Sequence, residues 1–120
     1  MLKMVTLIPR KPGMSREEFI EYYESKHVPL SASLFPQVVR CVRNYPCTEN
    51  FHYVGSSVSP TVPFDAVTEH WFADQAAYDE MMAQFASDPD KFRLLSEDEG
   101  RFCDKERMIM FMVEEHPAAG

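Results

Sequence analysis

A chain of 120 residues with 45% hydrophobic and 12% aromatic side chains is expected to form a single domain over residues 1–120, with a real but modest core. A formal charge of −7 without any basic stripe excludes a phosphate-contacting nucleic-acid binder, and no apolar run approaches the roughly 20 residues of a membrane span. Three cysteines without a CxxC pair fit reduced thiols in a reducing compartment, and four histidines without HxH or HExxH spacing argue against a histidine-built metal site.

The N-terminal run LKMVTLIP, residues 2 to 9, is β-rich and ends at the basic turn RKPG, so it reads as a first strand rather than a secretory signal. The cytoplasm is the expected location. A helix starts at Ser15, where Ser15 and Glu18 have the spacing of a capping box. On a 100° wheel Phe19, Ile20, Tyr23 and His27 share a quadrant, while Glu18, Glu21 and Glu24 lie toward the other side. Pro29 disfavours the α region for Val28, so the helix is expected to stop on His27. There the helix dipole favours the protonated ring and burial opposes it.

QVVRCVRNY at 37 to 45 is the second strand, followed by an aperiodic segment from Pro46 to Pro63 in which Phe51 to Tyr53 form a possible lid or a plain surface excursion. FDAVTEHWF at 64 to 72 is the third strand. Asp74 then caps a helix whose Ala77, Tyr78, Met81, Met82 and Phe85 keep helical spacing, with the two methionines read as core filling. Asp88-Pro89 opens another short helix carrying Phe92, Leu95 and Phe102 inward, and its acidic run SEDEG is expected to face solvent. KERMIMFMVEE, 105 to 115, is the fourth strand.

The order predicts an α+β fold of the ferredoxin-like βαββαβ type, a four-stranded antiparallel sheet with helices on one face. In the last strand Met108, Met110 and Met112 alternate with Ile109, Phe111 and Val113, so both sides are apolar. Helices cover one sheet face. The cheapest cover for the other is the sheet of a second copy, which makes the expected assembly a homodimer.

KPGMSREEFIEYYESKHVPL at 11 to 30, VRNY at 42 to 45, EHWF at 69 to 72 and DEGRFCD at 98 to 104 together resemble the EthD family within the dimeric α+β barrel superfamily. The resemblance spans nearly the whole chain. It implies a homodimer with a pocket between helices and sheet in each subunit, and relatives that are cofactor-free isomerases, cyclases or decarboxylases, quinone-forming monooxygenases, or proteins of ether degradation. The histidine of the family's HxP motif faces the ligand, and that position here is His27.

His27 is the inward group whose ordinary pKa lies near neutrality, so it can move a proton from a carbon acid or phenol; equally, it can cap the helix end. Tyr23, one turn earlier, is placed to donate to a developing enolate oxygen. Glu69 and Trp71 share one strand face while Thr68, His70 and Phe72 share the other. If the Glu69 face meets the helices, Glu69 orients His27 and Trp71 walls the pocket; if it meets a partner, Glu69 is an interface group. The working expectation is the pocket. His27, Tyr23 and Glu69 are thus the catalytic candidates, and Phe19, Asn44, Trp71 and Phe85 the substrate-binding ones, with no metal and no cofactor. The expected activity is acid/base chemistry on a hydrophobic oxygenated small molecule, aromatic, lactone or polyketide-like; the alternatives are a non-catalytic small-molecule-binding protein or an oxygen- or haem-using monooxygenase relative.

Overall fold

Four antiparallel strands, β1 (Leu2–Ile8), β2 (Val38–Asn44), β3 (Ala66–Phe72) and β4 (Ile109–Val113), lie in the spatial order β2-β3-β1-β4. This is the expected ferredoxin-like sheet, seen in a computed structural model that describes residues 1–119. Pairing of Met4 with His70 and Met112, and of Thr6 with Thr68 and Met110, sets the alternation. Met4, Thr6, Ile8, Ala66, Thr68, His70 and Phe72 therefore face the helices, and Val5, Leu7, Val67, Glu69, Trp71, Ile109 and Phe111 face away.

The first helix starts as expected. Ser15 Oγ accepts from the Glu18 N–H at 3.1 Å, and Glu18 Oε1 accepts from the Ser15 N–H at 3.0 Å. It does not stop at His27. Helix α1 (Arg16–Tyr22) passes into a π-turn over Tyr23–His27 and then into α2 (Val28–Leu34), with helical backbone at Val28. In the turn the Val28 N–H donates to the Tyr23 carbonyl five residues back. That wider turn explains the failed expectation: Pro29 enters in the first turn of α2, where its missing N–H is not needed and the crowded carbonyl has been moved aside.

Helix α3 (Gln75–Ser87) is capped by Asp74, whose Oδ1 accepts from the Ala77 N–H at 2.9 Å. Helix α4 (Pro89–Phe102) is capped by Asp88 and has 14 residues, longer than the short helix expected, because Gly100 is carried within it. Two buried clusters lie between helices and sheet. Ile8, Phe19, Tyr23, Ala66, Phe102 and Cys103 form one, and Met4, Phe35, Phe72 and Met81 the other. The aperiodic segment before β3 has one short 3-10 turn at Thr48–Asn50 and stays largely exposed.

Strand β4 leaves Ile109, Met110, Phe111 and Met112 all exposed, because it is an edge strand that the helices do not overlie. Among the described residues no helix is long and apolar enough to cross a membrane.

Candidate functional site

The two buried clusters do not merge. A cavity of about 620 Å³ separates them, floored by the helix-facing side of the sheet and walled by the π-turn, α2, α3 and α4. Most of its lining is apolar, with Met81, Met82, Phe85, Phe92 and Leu95 at the α3–α4 end. The polar lining side chains gather elsewhere, around His27, Tyr23, His70, Cys41 and Glu99.

His27 sits on the last residue of the π-turn, and its Nδ1 lies 2.8 Å from Asp98 Oδ2. Asp98 also accepts from the Tyr22 hydroxyl at 2.6 Å and from Arg101 at 3.1 Å. Burial by itself would raise the Asp98 pKa, but hydrogen bonds from Tyr22, His27 and Arg101 outweigh it and hold the carboxyl below its ordinary value. An ionised carboxylate only accepts, so the hydrogen of neutral His27 resides on Nδ1. Nε2 is left as the basic nitrogen. Burial lowers the His27 pKa and the Asp98 hydrogen bond recovers only part of the loss, so the ring is a neutral base at neutral pH. The dipole argument for a charged ring fails because the helix does not end there.

Around this pair the packing is aromatic. The Phe102 ring centre is 4.9 Å from that of His27, and the Tyr23 ring is 5.6 Å away, edge-on. The Tyr23 hydroxyl shares a 2.7 Å hydrogen bond with Thr68 Oγ1, and burial pushes the phenol well above its ordinary pKa, so it remains protonated. Burial also raises the Cys41 and Cys103 thiols, which makes both poor nucleophiles, and raises the Glu99 carboxyl. His70 is driven the other way, down to about 4, by burial first and then by the nearby His27 and Arg43. The three cysteines are free thiols.

Of the residues expected to form the site, the structure brings together His27, Tyr23 and Phe85 on the cavity wall. Phe19 is fully buried in the core behind it and does not line it. Glu69, Trp71 and Asn44 are on the opposite sheet face, so the pocket placement of Glu69 and Trp71 is overturned. The cause is the β3 alternation: burial of Ala66, Thr68 and Phe72 fixes the helix side and sends Glu69 and Trp71 outward. There Glu69 is ion-paired with Lys3 and accepts from Asn44 Nδ2 at 2.9 Å. Trp71 Nε1 donates to Glu115 at 3.2 Å, between the Lys3 and Arg40 cations. The Phe51 to Tyr53 stretch does not line the cavity and forms no lid.

The partner of His27 comes from the SEDEG run that was expected to face solvent. Asp98 is 5% exposed. A wheel through α4 carries the signal, because Asp98 and Glu99 fall between Leu95 and Phe102 on the inward stripe.

Helices and sheet closing over an apolar cavity, with a carboxylate-held imidazole at its polar end, define a ferredoxin-like α+β domain built around a small internal site. The EthD domain profile matches residues 11–106, and the chain belongs to the EthD family. Similar solved structures include an EthD family protein of Bacillus halodurans at 18% identity, TM-score 0.62, covering 97% of this chain and 100% of that one. The Arabidopsis thaliana protein At3g17210 is similar at 17% identity and TM-score 0.64, with 99% of both chains covered. HapK from Hahella chejuensis is similar at 17% identity and TM-score 0.59, with both chains covered fully at 100%. At such identities the likeness is one of fold. No curated protein matches the sequence significantly.

Proposed function

We propose that the chain is a cofactor-independent acid/base enzyme acting on a hydrophobic, oxygenated small molecule, in reactions of the isomerase, cyclase or decarboxylase kind. The observation that carries this is the 2.8 Å His27–Asp98 contact on the wall of the apolar cavity. Nε2 takes a proton from an activated carbon or a phenol, Asp98 stabilises the imidazolium that forms, and the same nitrogen returns the proton elsewhere on the molecule. The protonated Tyr23 phenol stands beside this path as a neutral donor. Apolar walls exclude water and so strengthen each of these interactions.

A panel of hydrophobic ketones beginning with 2-tetralone, incubated in D₂O with catalytic amounts of protein, tests the reading. Proton NMR is expected to show loss of the signal α to the carbonyl faster than in buffer holding an equal concentration of free imidazole. Binding without acceleration across the panel would leave a small-molecule-binding protein and remove the enzyme.

The proposal includes a homodimer in the cytoplasm, formed over the open sheet face. Leu7, Val5, Ile109 and Phe111 lie together there in register, and Phe111 is 42% exposed in the single chain. Sedimentation at micromolar concentration is expected to give twice the 13.9 kDa chain mass, and Phe111→Lys to give the single chain, since an unpaired charge does not bury. A wild-type protein sedimenting only at the chain mass would refute the dimer.

A further inference from the structure

Glu99 brings to the cavity wall a carboxyl group that nothing else in the chain meets. Besides the two histidines, the acidic and basic side chains lining this space are Arg40, Glu99 and Lys105. Arg40 lies over the Trp71 ring, 4.7 Å from its centre, and the Lys105 ammonium donates to the carbonyl and the hydroxyl of Ser96. The Glu99 carboxyl has neither a hydrogen bond nor an ion pair among the described residues. Its oxygens are still within reach, because the unpaired side-chain atoms without accessible surface among those residues are Gln37 Oε1 and His70 Nδ1. On α4, Glu99 follows Asp98, which holds His27, and precedes by one turn Phe102, whose ring centre is 4.9 Å from that of His27. The stretch of helix that fixes the base therefore also delivers the carboxyl. The charges acting on it are Lys105 and Asp98, and its own charge acts on the Cys103 thiol. Burial raises its pKa, Lys105 opposes that and Asp98 adds to it, so Glu99 keeps its proton to a higher pH than an ordinary glutamate. The protonated form carries an O–H donor.

We propose that Glu99 is a second catalytic residue, which donates its carboxyl proton to the carbonyl oxygen of a ketone in the cavity while His27 takes a proton from the adjacent carbon. This deepens the acid/base reading of the cavity and rests on it. As Nε2 takes the proton, the C–H electron pair becomes the C=C bond of an enol and the carbonyl π pair moves onto oxygen. The Glu99 proton neutralises that oxygen, leaving an imidazolium and a carboxylate on the protein. Reversal restores both groups, and return of the proton to a different carbon makes the cycle an isomerisation. The carbonyl is what makes the neighbouring carbon acidic, so the group that meets it decides which molecules react. A hydrocarbon would fill the apolar end near Phe85 and Leu95 and leave Glu99 unpaired. Discrimination by such an unmet hydrogen bond is stronger than by shape alone.

Two probes of similar size, 2-tetralone and tetralin, separate the contributions by equilibrium dialysis, and α-proton exchange of 2-tetralone in D₂O gives the rate. In Glu99→Leu the ratio of tetralone to tetralin affinity is expected to fall about tenfold from its wild-type value, the scale of one net hydrogen bond. Exchange above the buffer rate is expected to fall roughly 10²-fold, as for loss of one donor to a developing oxyanion. Glu99→Gln keeps a donor without an ionisable proton. It is expected to recover part of the rate and the affinity ratio. The pH profile carries the sharper sign: wild-type exchange declines on the alkaline side as Glu99 ionises, whereas the Gln variant loses that decline and keeps the acid-side loss set by His27. Gln is nearly isosteric and keeps the test open should the Leu variant fold poorly. An unchanged rate and alkaline limb in the Gln variant, or an unchanged affinity ratio in a folded Leu variant, overturns the role of Glu99 while wild-type exchange leaves the acid/base reading standing. Wild type that accelerates exchange of no ketone overturns that reading, and this inference with it.

Discussion

Replacing His27 with glutamine is expected to lower turnover by roughly 10² to 10⁴, the usual range for loss of a general acid/base, while leaving the chain folded. Glutamine is close in size and its amide can still donate to the Asp98 carboxylate that sits 2.8 Å from Nδ1 in the native protein. It has no proton to give or take near neutral pH. The rate of α-proton exchange, or kcat once a substrate is in hand, is the readout. A thermal melt run beside it keeps chemistry and folding apart. His27→Ala, by contrast, loses the charge-assisted hydrogen bond and the ring packing against Phe102 and Tyr23 together, and about 2–3 kcal/mol of stability with them. Glutamine retaining the wild-type rate would end the catalytic role of His27. The sign of the pH response follows from the direction of the shift. Burial lowers the folded pKa below 6.5, so the basic form persists through neutrality and activity is lost on the acid side as the ring protonates.

Phe102→Ala is expected to be the most damaging single truncation, at about 3–5 kcal/mol, or a melting temperature lower by roughly 10–20 °C. Phe102 has no exposed surface, and its ring centre lies 5.5 Å from Phe19, 5.3 Å from Tyr22, 5.0 Å from Tyr23 and 4.9 Å from His27. One side chain therefore joins the last turn of α4 to both α1 and the π-turn. Removing it opens a void that rigid neighbours cannot collapse into, since all four of them carry aromatic rings. Chemical denaturation would measure the loss. A cost below about 1 kcal/mol would mean that the helices slide together after truncation and that this contact does not hold the site.

The capping box and the Asp74 and Asp88 caps are legible because each rests on interactions between residues a few places apart, and the strands because their β-rich runs between turn residues are written locally even though their pairing is long-range. His27, Tyr23 and Phe85 were legible for the same reason, as members of inward helical stripes. Glu69 and Trp71 were misplaced because alternation says which residues share a face and not which face meets the helices. That choice was decided by long-range burial of Ala66, Thr68 and Phe72. Asp98 is not legible within SEDEG, where its neighbours give it the look of solvated surface, because the partners that explain its burial lie 71 and 76 positions earlier.

The π-turn makes the length of the chain part of the site. The wider turn holds one residue more than an α-turn, so excising one residue between Tyr23 and His27 would let it close as a regular α-turn with α1 and α2 kept nearly in line. Pro29 would then meet the carbonyl that the wider turn now holds clear of its ring, and the kink that relieves this clash would displace His27 from Asp98. A one-codon deletion there would therefore undo the dyad with every participating side chain still encoded, whereas the exposed 46–63 segment has room to lengthen or shorten without touching it.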